Sequence, residues 1–271
     1  MPYTPYATVR KDSNPKSKQT SGVSVYPLYT APAVVKKAVV TPPFNPASLT
    51  APLIVWFKGD SGLTAGRWVN NGTNGGLATL TGGTTLTTVN GLGAVTFTAP
   101  TGYGFYTQNY SGQPHAEFFV IKFNADISAT NVTTLAGALS VPDSFVQIYT
   151  SGGQQTMVLA PFGGASTSIV TDVFSANQTS LPAVFGEFAS ATAANNLAYY
   201  NGTSLNLTTR AAASGYSTGN RTAYLGAFSN GTPNPNSTSI TWCEVLCYDG
   251  ELTSTDMTNV VNYLRTKWGT S

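Results

Sequence analysis

At 271 residues the chain can bury a substantial core, yet only 9% of it is charged, against roughly 25% in an ordinary soluble protein. Val, Ile, Thr, Tyr and Phe dominate while Glu, Lys and Arg are scarce, which excludes a helix-rich fold and favours strands and turns. The formal net charge is +2, and no stretch approaches the ~18 apolar residues needed to span a bilayer, so no membrane span is expected, and no secretory leader either.

Residues 1–50 read as an extended, basic, proline-rich arm. Prolines 2, 5, 15, 27, 32, 42, 43 and 46 remove amide donors and fix φ, so the segment cannot build a sheet of its own. Arg10, Lys11, Lys16, Lys18, Lys36 and Lys37 stand against the single Asp12, a net of +5; seven bases and ten acids leave residues 51–271 at −3. A basic extension on a mildly acidic body is expected to dock on other protein subunits, in a homo-oligomer or a larger shell. Six bases in fifty residues is too dilute for nucleic acid.

From Leu53 the pattern changes. "LIVWF" (53–57) is a continuous apolar run, as in a strand buried on both faces. Strand-like segments follow at 77–80, 84–89, 94–98, 117–123, 145–150, 156–160, 168–174 and 183–188. "LAYYNGTSLNLT" (197–208) reads as a hairpin turning on Asn201-Gly202, and segments 222–228 and 239–248 complete the series. About a dozen short strands at this spacing predict a sandwich or barrel. One helix is predicted after them. Thr253 and Asp256 form a capping pair, Met257, Val260, Val261, Leu264 and Trp268 an apolar stripe, and Gly269 the stop.

The cysteines, Cys243 and Cys247, lie four apart on the last strand and are expected on one face, about 13 Å apart, too far for a disulfide. With His115 as the only histidine no metal set is assembled, so both thiols read as packing and no cofactor is expected. His115 follows the loop "SGQP" and reads as incidental. Glu117 and Glu187 stand alone on their strands, Glu244 has no acid two residues away, and no catalytic residue is assigned. Aromatic rings are the remaining resource. "TGYGFYTQNY" (101–110) sets rings among amides, the composition of a sugar site, and the candidate glycan contacts are Trp68, Tyr103, Tyr106 and Tyr110.

"ITWCEVLCYDGELTSTDMTNVVNYLRTKWG" (240–269) resembles the closing strand, turn and helix of concanavalin A-like lectin/glucanase domains of the LamG-like group. The matching residues are Glu244, Val245, Leu246, Tyr248, Asp249, Leu252, Thr253, Tyr263, Leu264, Lys267, Trp268 and Gly269. Residues 53–83 and 89–106 look like the family's opening, but Thr98-Ala99 replace its usual Asp-Gly and Val69-Asn70 an expected Asp after Trp68. These replacements speak against a calcium or polar ligand site at this end. The resemblance spans about residues 51–269 and implies a two-sheet antiparallel jelly roll over residues 51–271. It also implies that a hydrolase of this fold would carry E-x-D-x-x-E on one strand, a motif absent here.

Two functions follow. The first is a non-enzymatic virion structural protein of capsid-decoration, minor-capsid or fibre-base type, at the particle surface, with its arm on neighbouring subunits. The alternative is a lectin-like attachment module that binds glycans; a glycoside hydrolase or lyase ranks last.

Overall fold

The β-rich composition resolves into seventeen strands and one α-helix among the residues that the computed structural model describes. These are 44–110, 114–125, 132–138, 145–151, 154–160, 169–170, 181–208, 219–227 and 238–270. The chain runs through β1 (Leu53–Phe57), β2 (Leu63–Thr64), β3 (Arg67–Val69), β4 (Leu77–Thr81), β5 (Thr84–Val89) and β6 (Leu92–Phe97). There follow β7 (Tyr103–Tyr110), β8 (His115–Phe123), β9 (Val132–Ala138), β10 (Phe145–Ser151), β11 (Gln154–Ala160) and β12 (Ile169–Val170). Then β13 (Ala183–Ala189), β14 (Leu197–Tyr200), β15 (Thr203–Ser204), β16 (Gly219–Leu225) and β17 (Ile240–Asp249) lead into α1 (Ser254–Trp268).

The strands form two antiparallel sheets. One runs β15-β14-β13-β8-β17-β6-β5 with β1 also paired to β17; the other runs β12-β11-β10-β9-β16-β7-β4-β3-β2. Between them lies one apolar core, built from Phe57, Phe119, Phe185 and Trp242 on the first sheet and Trp68, Leu80, Ile148 and Leu225 on the second. The outer face of the first sheet is apolar too, through Trp56, Phe118, Val120, Val184 and Leu246, and carries the stripe of α1. Burial on both faces explains why β1, β8, β13 and β17 are near-continuous apolar runs instead of alternating ones. The expected sandwich with a closing helix is what the chain forms.

Helix α1 starts and stops as its sequence dictates. Thr253 accepts from the Asp256 amide while the Asp256 side chain accepts from the Thr253 amide, and Gly269 ends the helix in the left-handed region. The 197–208 hairpin turns on Asn201-Gly202, both at positive φ, but its second arm is a strand only over Thr203–Ser204, with one further bond from the Leu205 amide to the Ala198 carbonyl at 2.8 Å. A second turn of this kind, Asn90-Gly91, joins β5 to β6.

Strand β17 corrects the reading of the cysteines. Its register with β8 slips between Trp242 and Glu244, so Cys243 and Glu244 both turn toward α1 while Cys247 points into the sandwich. The two thiols therefore lie on opposite faces. The bulge also aims Glu244 at the helix. Its buried carboxylate accepts from the Trp56 and Trp268 indoles, each at 2.7 Å, and from Lys267 at 2.8 Å, joining β1, β17 and α1. Residues 44–50, read from sequence as the end of the arm, pack on this same side: Tyr248 donates its hydroxyl hydrogen to the Pro46 carbonyl, and the Phe44 ring meets Tyr263 edge-on at 6.3 Å. Among the described residues no helix is long and apolar enough to cross a membrane.

Candidate functional site

The outer face of the second sheet carries no helix from the described residues, and there the sequence alternates. On β3, Arg67 and Val69 are exposed while Trp68 is fully buried; on β4, Leu77 and Thr79 face out while Ala78 and Leu80 face in. The pairing β3–β4–β7–β16 then aligns one row across the face: Arg67 opposite Thr79, Thr79 opposite Phe105, Phe105 opposite Tyr224. Tyr103 stands one position along from Phe105 on the same face, and Thr107 sits opposite Thr222.

Tyr103, Phe105 and Tyr224 form a triangle of rings with centroids 6.3 to 6.4 Å apart and planes tilted by 35 to 43°. All three are half-buried, each with part of its ring open to solvent. With Leu77, Thr79, Thr107 and Thr222 they line an open depression of about 520 Å³. Burial, and then the neighbouring Tyr103, raise the Tyr224 hydroxyl above its usual pKa, so this phenol is a neutral donor at physiological pH. Chemically this is a platform of apolar ring surface edged by hydroxyls. Asn109 and Asn220, opposed and exposed, add amides at one end.

Of the four candidate contacts, the structure keeps Tyr103 on this face and moves two away. Trp68 lies in the sandwich core, its indole donating to the Lys58 carbonyl at 2.8 Å, because β3 alternates and the indole fills the space beside Phe57. Tyr106, between two outward residues of β7, likewise points inward and meets Phe57 edge-on at 5.0 Å. The Tyr110 side chain lies outside the described residues, as do Arg10, Lys11, Lys16, Lys18, Lys36 and Lys37. Tyr224 and Phe105 complete the triangle. Alternation in "TAYLGAF" could have flagged Tyr224 as outward, but only strand order places it beside Phe105.

A second polar cluster sits inside the sandwich. His115 opens β8 instead of lying in a loop, and Glu117 on the same face of β8 stands directly opposite Glu187 on β13 and Cys247 on β17. From the other sheet Gln108 donates to the Cys247 sulfur at 2.8 Å. His115 Nε2 is 3.6 Å from Glu187 Oε1. Loss of water dominates the chemistry here. It pushes the Glu117 carboxyl up to about 7, Glu187 well above the usual carboxylate range with Glu117 adding to the rise, and His115 down to about 4. Two glutamates that stood alone in sequence thus form a cross-strand pair. At 8% and 3% exposure neither is open to a saccharide, so the pair does not act as a glycosidase couple in this conformation. Among the described residues no group of three or more His, Cys, Asp or Glu side chains could hold a metal ion.

No family model matches the chain, and no curated protein does. Solved structures share its fold. The binding domain of botulinum neurotoxin DC in complex with rat synaptotagmin II is 13% identical with a TM-score of 0.60, covering 79% of this chain and 52% of that one. The same toxin's binding domain in complex with SialylT gives 14%, 0.58, 79% and 52%. Botulinum neurotoxin type C, which depends on interaction with two ganglioside molecules to get into cells, gives 14%, 0.58, 79% and 51%. The chain spans about half the length of these binding domains. At such identities the likeness is one of fold: a two-sheet antiparallel β-sandwich.

Proposed function

We propose that the chain is a non-enzymatic carbohydrate-binding domain that holds glycans on the exposed face of its second sheet. The observation that carries this reading is the triangle of Tyr103, Phe105 and Tyr224, half-buried in contact with one another and ringed by threonine hydroxyls. A pyranose offers an apolar face of C–H groups and an equator of hydroxyls. Fixed rings stack on the former and Thr79, Thr107 and Thr222 bond the latter, with little ordering cost because the rings already brace each other. The fold supports the reading, since the solved structures that share it include a binding domain in complex with SialylT and a toxin that interacts with gangliosides. These likenesses favour attachment over the virion-shell role, whose docking cations lie outside the described residues. The finer kinship with LamG-like domains rests on the closing strand, turn and capped helix.

A glycan array followed by titration calorimetry tests the site. Phe105→Ala and Tyr224→Ala are each expected to weaken binding about tenfold or more, the scale of one lost stacking contact. Cys243→Ala, on the far side of the first sheet, is expected to leave affinity unchanged. Unaltered affinity in both ring variants would refute the assignment.

A further inference from the structure

We infer that the glycan taken by this face is acidic, carrying a carboxylate or sulfate, and that Arg67 selects it; the inference rests on the reading above that this face binds carbohydrate. Arg67 stands at the end of the row that runs through Thr79 and Phe105 to Tyr224, two strand spacings, about 10 Å, from Phe105. Its side chain is exposed, and no described residue forms an ion pair or hydrogen bond with its guanidinium.

The charge around it is one-sided. Glu117, Glu187 and Asp249 are buried on the first sheet, Glu244 and Asp60 pair with Lys267, and Asp256 caps α1. Glu251 lies at the approach to α1, so none of the described acids shares a face with Arg67. A lone arginine beside ring platforms is built for an anion on an otherwise apolar ligand, since its planar fork pairs two-to-two with carboxylate or sulfate oxygens.

The arginine is also held in place. Trp68 beside it is locked in the core by its bond to the Lys58 carbonyl, and the preceding turn is pinned by the Leu80 amide donating to the Gly66 carbonyl at 2.9 Å, with Gly66 at φ 77°. A saccharide stacked on Phe105 and Tyr224 therefore presents a substituent toward a charge whose root is fixed. Neutral sugars gain the stacking and the threonine contacts but not the charge.

The test titrates the full chain with a uronic-acid tetrasaccharide and its carboxyl-reduced form, and with a sulfated oligosaccharide and its desulfated form. The wild type is expected to prefer at least one acidic member about tenfold, and to lose much of that preference as ionic strength rises from about 10 to 150 mM. Arg67→Gln is expected to bring acidic affinity down to the neutral level without changing neutral affinity, and Arg67→Lys to restore part of it. An unchanged melting temperature confirms that these exposed substitutions leave the fold intact. Equal binding of both members of each pair, or a preference that survives Arg67→Gln, overturns this inference while leaving the glycan site standing. Binding of none of the four probes overturns both.

Discussion

Asn70 shows how much one side chain settles. Its Oδ1 accepts from the amides of Trp56 (2.7 Å) and Gly72 (2.8 Å), and its Nδ2 donates to the carbonyls of Ile54 (3.0 Å) and Gly75 (2.9 Å). It thereby satisfies the free edge of β1, which the amides of Asn71, Thr73 and Asn74 continue to cover. The family resemblance led to an aspartate expected near this point; an amide is what the edge requires, because a carboxylate can accept but not donate. Asn70→Asp would take the side-chain donor from the Gly75 carbonyl, leave the Ile54 carbonyl with the Asn74 amide alone, and set a charge between them. The expected loss is about 1 kcal/mol or more in urea unfolding, since a buried acceptor left unpaired costs about 1–3 kcal/mol. A loss below about 0.5 kcal/mol would show that the donated bonds do not matter.

Elements differ in how far their sequences announced them. The helix was legible to the residue, because capping, stripe and stop are all local. Thr253→Ala removes the acceptor of the Asp256 amide and is expected to cost about 1 kcal/mol of stability, with Thr253→Ser close to neutral. An alanine variant as stable as the serine one would refute the cap's contribution. The doubly buried strands were equally plain. The Asn90-Gly91 hairpin carries the same dipeptide signal as Asn201-Gly202, whereas β9 carries no strand signal, because its "VTTLAGA" mixes small and polar residues. Trp68 and Tyr106 leave the exposed face for a physical reason. Trp68 and Tyr106 sit in Gly- and Asn-rich surroundings that look like loops, but each lies on a strand whose neighbours point outward. The Arg67–Thr79–Phe105–Tyr224 row needs four strands in a given order, which no window of sequence contains.

For the whole molecule the buried carboxyl pair sets a pH dependence with a definite sign. Glu117 and Glu187 face one another, flanked by Cys247 and Asp249 on β17 and His115 on β8, with Tyr106 and Gln108 on β7 and the half-buried Arg221 on β16 across the core. An unfolded glutamate releases its proton near pH 4.5, whereas Glu117 holds it to about 7 and Glu187 is likewise raised well above the usual range, so the folded state binds more protons across that range. Stability must then fall as pH rises through it. His115 works the other way: it is neutral in the fold down to about 4 but charges near 6.5 when unfolded, so stability rises between those values. Below pH 6.5 the single histidine offsets only one of the two carboxyl contributions, and above it only the carboxyls remain. The melting temperature is therefore expected to fall between pH 6.5 and 8, with a slope in free energy of about 1.4 kcal/mol per pH unit for each retained proton. Glu187→Gln keeps the shape while removing one of the two titrations, so its stability is expected to fall less over the same window, with only Glu117 left to release its proton, and to exceed the wild type's at pH 8. A wild-type melting temperature that is flat or rising from pH 6.5 to 8, or a Gln variant with an undiminished slope, would show that these carboxyls are ionised in the folded protein.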